Sequence, residues 1–482
     1  MYDVIIVGSG PAGIFAAREI ALNSGMKVLM LDKGNALEKR RCPIRLYKQN
    51  CVECPECALL CGWGGAGAFS DGKLNLTTLV GGYLNEYIKE EDLRDLISYV
   101  DRIYVSHGAP DKVFGQDEEK IKDFSVRAAK VDMKLLNYPI RHLGTENCYR
   151  VLQGLFEELS GRVRIKFNAR VEEIIVENGR AAGVRLTDGR EMKANNVIIA
   201  VGREGSKWLS KESNRLGLPQ MINPVDIGVR VEVPAAATQM LTDVLFESKL
   251  IFRTKYFNDE VRTFCMCPHG EVVRENYNGL FTVNGHSFNE KRTKNTNFAL
   301  LVKMTFTEPF SEPITYGQRI AELANLLGSG IILQRLGDLK KGRRSTPERI
   351  EKGAVEPTLL DTTPGDLALV LPYRFLKNIL EMIETLDNLM PGVDSPDTLL
   401  YGVEVKFYSI RLELKSSFET KIRSLYTVGD GAGISRGLIQ ASTSGVVAAR
   451  DIIGKLPAKL AREKLSRRDF AKKGRSRYLS FS

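Results

Sequence analysis

Histidine is scarce in this chain: 482 residues contain four of them. An imidazole proton donor therefore has few candidates. The two that sit beside recognisable motifs, His269 and His286, read first as structural hydrogen-bonding residues, and no catalytic residue is assigned. No apolar run approaches the length of a membrane-spanning helix. The first residues lead straight into a core-type strand, which leaves no room for a signal peptide, so a cytoplasmic location is expected. Repeats and low-complexity tracts are also missing. The positive charge is not spread evenly. Residues 455–482 hold ten Lys/Arg against Glu463 and Asp469, which accounts for eight of the net +10. The body is thus close to neutral, and neither nucleic acid nor membrane is expected to partner it. The tail reads as a solvated appendage, with RNA, a membrane surface or an acidic protein as its alternative contacts.

What is present begins at the N-terminus. Residues 2–7 are a short apolar, β-branched run of the buried parallel-strand type. Gly8-Ser9-Gly10-Pro11-Ala12-Gly13 follows, then a helical stretch over 14–23, a second apolar run over 27–31, and Asp32. This is a strand, a Gly-x-Gly-x-x-Gly turn, a helix, a strand and an acid, the order of a dinucleotide site. Gly8 permits the tight turn, Gly10 lets backbone approach a pyrophosphate, and Gly13 brings helix and strand close. Unpaired N–H groups of the first turn face negative charge, and Asp32 is placed to accept from ribose hydroxyls. With 43 glycines the bare pattern arises by chance roughly 0.3 times in such a chain, so the flanking elements carry the assignment. A second such turn is missing, because Gly202-Arg203-Glu204-Gly205 lacks the spacing. That disfavours direct use of NAD(P)H through a Rossmann unit of its own.

Eight cysteines occur, four of them within eleven residues: Cys51-x-x-Cys54-x-x-Cys57-x-x-x-Cys61. In a reducing compartment such a run means metal or redox chemistry rather than disulfides. Thiolates at these intervals let one loop wrap a [4Fe–4S] cluster, with Cys51, Cys54, Cys57 and Cys61 as ligands. In two-cluster ferredoxins the fourth cysteine of a run serves the other cluster, and no second run exists here. Cys42 or the Cys265/Cys267 pair are therefore alternative fourth ligands. Two further readings stand beside the cluster: a zinc site, although its Cys-x-x-Cys pairs usually lie far apart, and redox-active thiols.

Helical periodicity covers 90–105 and 146–159. A β-meander is expected over 164–167, 171–176, 182–187 and 197–200, with Asn178-Gly179 and Asp188-Gly189 as turns. From about residue 216 the pattern changes: 227–233 alternates like a half-buried strand, and helices are expected near 318–327 and 373–389. Near the end an apolar run over 424–428 meets Gly429-Asp430-Gly431-Ala432-Gly433 and a helix over 438–453. A strand ending Gly-Asp before a helix N-terminus suits a flavin site. The Asp takes ribityl hydroxyls and the helix N–H groups face the pyrophosphate or the flavin edge.

The first strand–turn–helix, the meander ending Ala200-Val201-Gly202 and the late Gly429–Gly433 turn resemble the glutathione-reductase-like FAD oxidoreductases. More narrowly, Gly62–Leu74, Phe264-Cys265-Met266-Cys267-Pro268, Val283-Asn284-Gly285-His286-Ser287 and 429–440 resemble bacterial and archaeal FAD-dependent dehydrogenases. The resemblance implies an α/β fold: a Rossmann FAD-binding domain (1–215, with a Cys-rich loop at 42–61, closed by 401–456), an inserted α+β substrate or cap domain (216–400) and a basic tail (457–482). It also implies FAD held by Gly8, Gly10, Pro11, Ala12, Gly13, Asp32 and Lys33. The glycine-rich segment adds Gly64, Gly65, Ala66, Gly67, Ser70, Asp71, Gly72 and Lys73, along the pyrophosphate and flavin ring. Val171, Ala200 and Gly202 come from the meander, and Gly429, Asp430, Gly437, Leu438 and Ile439 from the closing elements.

The expected activity is an FAD oxidoreductase moving electrons between a [4Fe–4S] cluster and a small-molecule substrate, with a ferredoxin or other redox protein as partner. The alternatives are an NAD(P)H-dependent flavin dehydrogenase with a zinc or free-thiol site, an RNA-acting flavoprotein, and an electron-transfer subunit of a larger complex.

Overall fold

A computed structural model describes residues 1–43, 52, 54–221, 223–277, 279–288, 292–306, 312–407 and 409–456. Cys51 and the tail after 456 lie outside the described residues. The chain forms two compact units. One takes Met1–Pro110, Asn147–Met221 and 409–456; the other takes Asp111–Glu146 and 223–407.

In the first unit Tyr2–Val7 runs parallel to Val28–Leu31 on one side and to Glu191–Ile199 on the other. Arg164–Lys166 and Leu425–Thr427 extend the sheet at its two edges, also parallel. Val4, Ile5 and Ile6 are fully buried, as a strand covered on both faces must be. The chain's next strand lies to one side of Tyr2–Val7 and a much later one to the other. The strand order therefore reverses at its carboxyl end, the place where open α/β sheets bind ligands.

The meander has three strands: Val171–Glu177, Arg180–Leu186 and the start of Glu191–Ile199. Asn178 and Gly179 turn the first hairpin with φ of +52° and +71°. Arg164–Lys166 is not the fourth strand expected there. It pairs with 29–31 instead, because a short apolar run states its need for burial but not its partner. Glu191–Ile199 serves both sheets: Glu191, Met192 and Lys193 pair antiparallel with the meander, and Ala194 onward pairs parallel with Tyr2–Val7.

The helix Pro11–Asn23 buries most of its circumference, much of it against Leu438–Gly454. Gly445 sets how close they come: a Cβ there would lie 2.0 Å from the Ala12 carbonyl oxygen.

The second unit is an eight-stranded sheet in the order Thr363–Pro364, Ile332–Arg335, Leu399–Lys406, Val225–Pro234, Asn295–Met304, Glu260–Cys267, Lys249–Arg253 and Met133–Leu136. All neighbours are antiparallel except the first pair. This unit departs from the expected 216–400 at both ends. Met133–Leu136 is an edge strand of this sheet, so 111–146 joins the unit although it precedes the meander in sequence. Leu399–Lys406 lies inside the same sheet, so the first unit resumes after 408 rather than at 401. Hydrogen bonding across the sheet decides both boundaries, and local periodicity carries no record of it.

Val225–Pro234 alternates as expected, with Val225, Ile227, Val229, Val231 and Val233 in the apolar core beside Phe375, Ile379 and Met382 of the helix Tyr373–Leu386. It is not half-buried, however. Asp226, Arg230 and Glu232 on the other face have no exposure either, and each has a polar partner: Arg262, Asn297 and Tyr401 respectively. No helix among the described residues is long and apolar enough to cross a membrane.

Gly445→Ala should force the two helices of the first unit apart and lower unfolding free energy by about 1–3 kcal/mol. Gly454→Ala, where nothing lies within 4 Å of the added Cβ, should leave it unchanged or slightly higher. Urea unfolding of the two variants side by side checks this.

Candidate functional site

The three glycines of the first turn are there for different reasons. Gly8 has φ of +106°, and a Cβ on it would sit 2.3 Å from the Ala200 carbonyl oxygen. A Cβ on Gly13 would sit 2.0 Å from the Gly8 oxygen. The chain's own packing therefore demands both. Gly10 is different: its nearest neighbour would be the Gly65 Cα at 3.9 Å. Among the described residues nothing excludes a Cβ at Gly10, so the space in front of it is room for a ligand to approach the backbone.

Gly10 is also the N-cap of Pro11–Asn23, in extended conformation and with no side-chain cap. The N–H groups of that first turn lack intrahelical partners. The helix Leu438–Gly454 starts in the same way from Gly437, again with no side-chain cap. The two uncapped N-termini flank Gly67, where a Cβ would lie 2.7 Å from Leu438 Cδ2 and 3.6 Å from Pro11 Cγ, so the positive ends of two helix dipoles face the same glycine-rich segment.

Glycine-rich segments come alongside. The Gly64 N–H donates to the Ser9 oxygen at 2.8 Å. A Cβ on Gly65 would lie 3.1 Å from Gly10 Cα, one on Gly67 2.7 Å from Leu438 Cδ2, and one on Gly429 3.0 Å from Ala12 Cβ. A Cβ on Gly431 would lie 2.7 Å from the Gly202 oxygen. Turns from four distant parts of the sequence thus meet around Gly10.

Asp32 holds much of this together. Its Oδ2 accepts from Ser9 N at 2.8 Å and Ser9 Oγ at 2.7 Å. Its Oδ1 accepts from Gly34 N at 2.8 Å and Gly62 N at 2.9 Å. Those four bonds use the acceptor directions that a carboxylate offers. The structure thus gives Asp32 the task of tying the turn to the following loop and to the glycine-rich segment. A ribose hydroxyl would share an oxygen already bonded twice. Lys33 is drawn to acids instead: its Nζ lies 2.5 Å from Glu204 and 3.2 Å from Glu56. Burial works against its charge, but Glu204, Cys61 and Glu56 outweigh it and hold its pKa above the usual value.

The other residues named from the sequence are placed as follows. Ser70 Oγ donates to the Gly67 oxygen at 2.9 Å and accepts from Gly72 N at 3.2 Å. Lys73 Nζ lies 3.1 Å from Asp71. Val171 is buried at the start of the meander, and Ala200 packs on Gly8. The Gly429 N–H donates to Ser444 Oγ at 2.9 Å. Burial raises the pKa of the Asp430 carboxyl, against the opposing pull of Arg203 and a 2.6 Å hydrogen bond from Ser435 Oγ. Ile439 is buried. Cys54 and Cys57 are half-buried and Cys61 is buried, with the Cys57 oxygen accepting from Leu60 N and Cys61 N. Burial and then Glu204 push the Cys61 thiol up. His269 places Nδ1 3.0 Å from the Thr293 oxygen, the geometry of a structural ring.

Residues 224–407 match the family described as FAD-dependent protein, C-terminal domain-like. A Clostridium beijerinckii protein described as uncharacterized is 28 % identical over 485 residues, covering 94 % of this chain and 80 % of that protein. Among solved structures, glycine oxidase from Bacillus cereus superposes with a TM-score of 0.38 at 14 % identity, covering 95 % of this chain and 98 % of that one. L-amino acid deaminase from Proteus vulgaris gives 0.41 at 11 % identity, covering 95 % of each chain. Superpositions this loose carry no functional argument.

Several residues that build the site have no role of their own in the sequence reading, although Trp63 and Gln440 lie within segments that carry the resemblance. Trp63 is fully buried, donates from Nε1 to the Leu152 oxygen at 2.8 Å and meets Phe156 edge-on, which fixes the glycine-rich segment to the helix Thr145–Leu159. Arg40 donates to the Trp63 and Ala58 oxygens at 2.5 and 2.9 Å. Gln440 Nε2 lies within 3.2 Å of the Asn75, Thr77 and Val80 oxygens. One signal was available: Trp63 is one of two tryptophans in the chain and lies inside a glycine run.

Asp32→Ala leaves the Ser9, Gly34 and Gly62 N–H groups without their acceptor. With no nucleotide added, urea unfolding should show a loss of about 2–4 kcal/mol. A residue serving ribose alone would show none.

Proposed function

We propose that this chain is an FAD-dependent oxidoreductase acting on a small molecule. The observation that carries the proposal is Gly10. It is a glycine that no internal contact requires, set at an uncapped helix N-terminus beside a second uncapped helix, at the reversal point of a parallel sheet. The family match over 224–407 supports flavin as the dinucleotide's reactive half. Bound there, a flavin supplies both paired and single electron transfer. The Ala12 and Gly13 N–H groups would hold the pyrophosphate, Asp430 would accept from ribityl hydroxyls, and the first turn of Leu438–Gly454 would hold the electron-rich edge of the ring.

The second part of the proposal concerns Cys51, Cys54, Cys57 and Cys61 as ligands of a [4Fe–4S] cluster, with a ferredoxin or similar redox protein as electron partner. The donor set supports it: four thiols at ferredoxin-type spacing, with Cys61 directly before Gly62, which donates to Asp32. The Arg40 guanidinium, held by the Ala58 oxygen inside that loop, provides positive charge beside the thiols.

Gly10→Ala should leave nucleotide-free stability within about 1 kcal/mol of wild type, since the added Cβ meets nothing closer than 3.9 Å. It should weaken FAD binding at least tenfold, about 1.4 kcal/mol. A wild-type protein that is colourless and takes up no added FAD defeats the proposal. Anaerobic purification should give a brown protein with about four irons per chain, and a zinc-only metal analysis rejects the cluster while leaving the flavin reading in place.

A further inference from the structure

The strand Glu260–Cys267 follows Asn295–Met304 in register as far as Phe264 opposite Ala299, and pairing resumes only at Cys267 opposite Asn297. The break is a bulge at Cys265, whose φ of +46° places a non-glycine residue in the left-handed region. In a regular strand, residues two apart sit about 6.5–7 Å from each other. Here the two sulfurs lie within 4.8 Å. Neither is in a disulfide, Cys267 is buried and Cys265 half-buried.

A guanidinium has been brought to this pair through the interior. Arg230 has no exposure, and its Nη2 donates to the Cys265 oxygen at 2.7 Å and lies 3.3 Å from Cys267 Sγ. Asn297 Oδ1 accepts from Arg230 Nε and Nη2 at 2.8 and 2.6 Å. Glu404 Oε2 lies 3.5 Å from Nη1, and its other oxygen lies 2.7 Å from Lys406 Nζ. Burial alone would lower the pKa of Arg230, but Glu404 and the two cysteines keep it above the usual value. Gly285 makes the slot, since a Cβ there would sit 1.9 Å from Arg230 Nη2. Disulfide exchange runs through attack of one sulfur on another, and Arg230 Nη2 is fixed 3.3 Å from the sulfur of Cys267.

We propose that Cys265 and Cys267 are a redox-active dithiol that exchanges with low-molecular-weight disulfides. The half-buried Cys265 thiolate attacks the incoming disulfide, forming a mixed disulfide and releasing one thiol. The Cys267 thiolate beside Arg230 then attacks Cys265 Sγ, closing the Cys265–Cys267 bond and releasing the second thiol. Both cysteine protons leave on the two released thiols. The pair is oxidised and the small disulfide is reduced. No nucleotide takes part, so this proposal and the flavin reading stand or fall separately.

Full-length protein, reduced and desalted, is treated with oxidised glutathione, quenched with acid and digested with trypsin. Cleavage after Arg262 and Arg274 puts both thiols on one peptide, residues 263–274. In the wild type that peptide should become lighter by two hydrogens and carry no glutathione. In Cys267→Ser it should carry one glutathionyl group, and in Cys265→Ser it should stay unmodified over the same time. A wild-type peptide that is unchanged, or that retains glutathione, overturns the proposal, as does a folded Cys267→Ser protein without the adduct. The wild-type arm needs no variant, so poor folding of either substitution leaves the test intact.

Discussion

Four hydrogen bonds onto the carboxylate of Asp32 hold the first unit's site in shape. Their donors come from the first glycine turn, from the loop after the second strand and from the start of the glycine-rich segment, which Gly62 opens thirty residues further on. One buried side chain thus fixes three backbone segments that have no ladder of their own. The helix Pro11–Asn23, which starts directly after Ser9 and Gly10, has no side-chain cap at its N-terminus. The closeness of the segments then explains the glycines: Gly8 and Gly13 are there to fit, and Gly10 is there to leave space.

The second unit treats buried polarity in the opposite way. Its charged and amide side chains turn inward from a single strand face and find one another: Asp226 with Arg262, Arg230 with Asn297 and Glu404, Glu232 with Thr358 and Tyr401. Such pairs cost desolvation and do little for net stability. What they do is fix the position of each group. Arg230 is held by a neighbour on each side and meets a sulfur at its end.

Much of the first unit was legible locally. A strand, a spaced glycine turn, a helix and an acid occupy 31 consecutive residues, and the structure builds them as Tyr2–Val7, Pro11–Asn23, Val28–Leu31 and Asp32. Helical periodicity found Glu90–Ser106 and Thr145–Leu159 to within a residue or two, since burial on one face writes itself into the spacing. Failures came where the partner is remote. Arg164–Lys166 has the local pattern of a meander strand and lies on the Rossmann edge. Residues 111–146 precede the meander in sequence, yet they belong to the second unit. The alternation over 227–233 suggests one wet face, but that face is dry as well, its Asp226, Arg230 and Glu232 each paired with a polar side chain.

The sequence by itself determined the chemistry on offer: a dinucleotide turn, a closing Gly-Asp turn before a helix, a run of four thiols and a second pair at Cys265 and Cys267. These depend on residue type and short spacing, which the chain states directly. Only the tertiary structure decided which of them have company. It spent the carboxylate of Asp32 on the protein, freed the front of Gly10, and placed the guanidinium of Arg230 against Cys267. Each of those outcomes is a contact between residues tens of positions apart, and contacts of that range are set by sheet order and packing rather than by any local pattern.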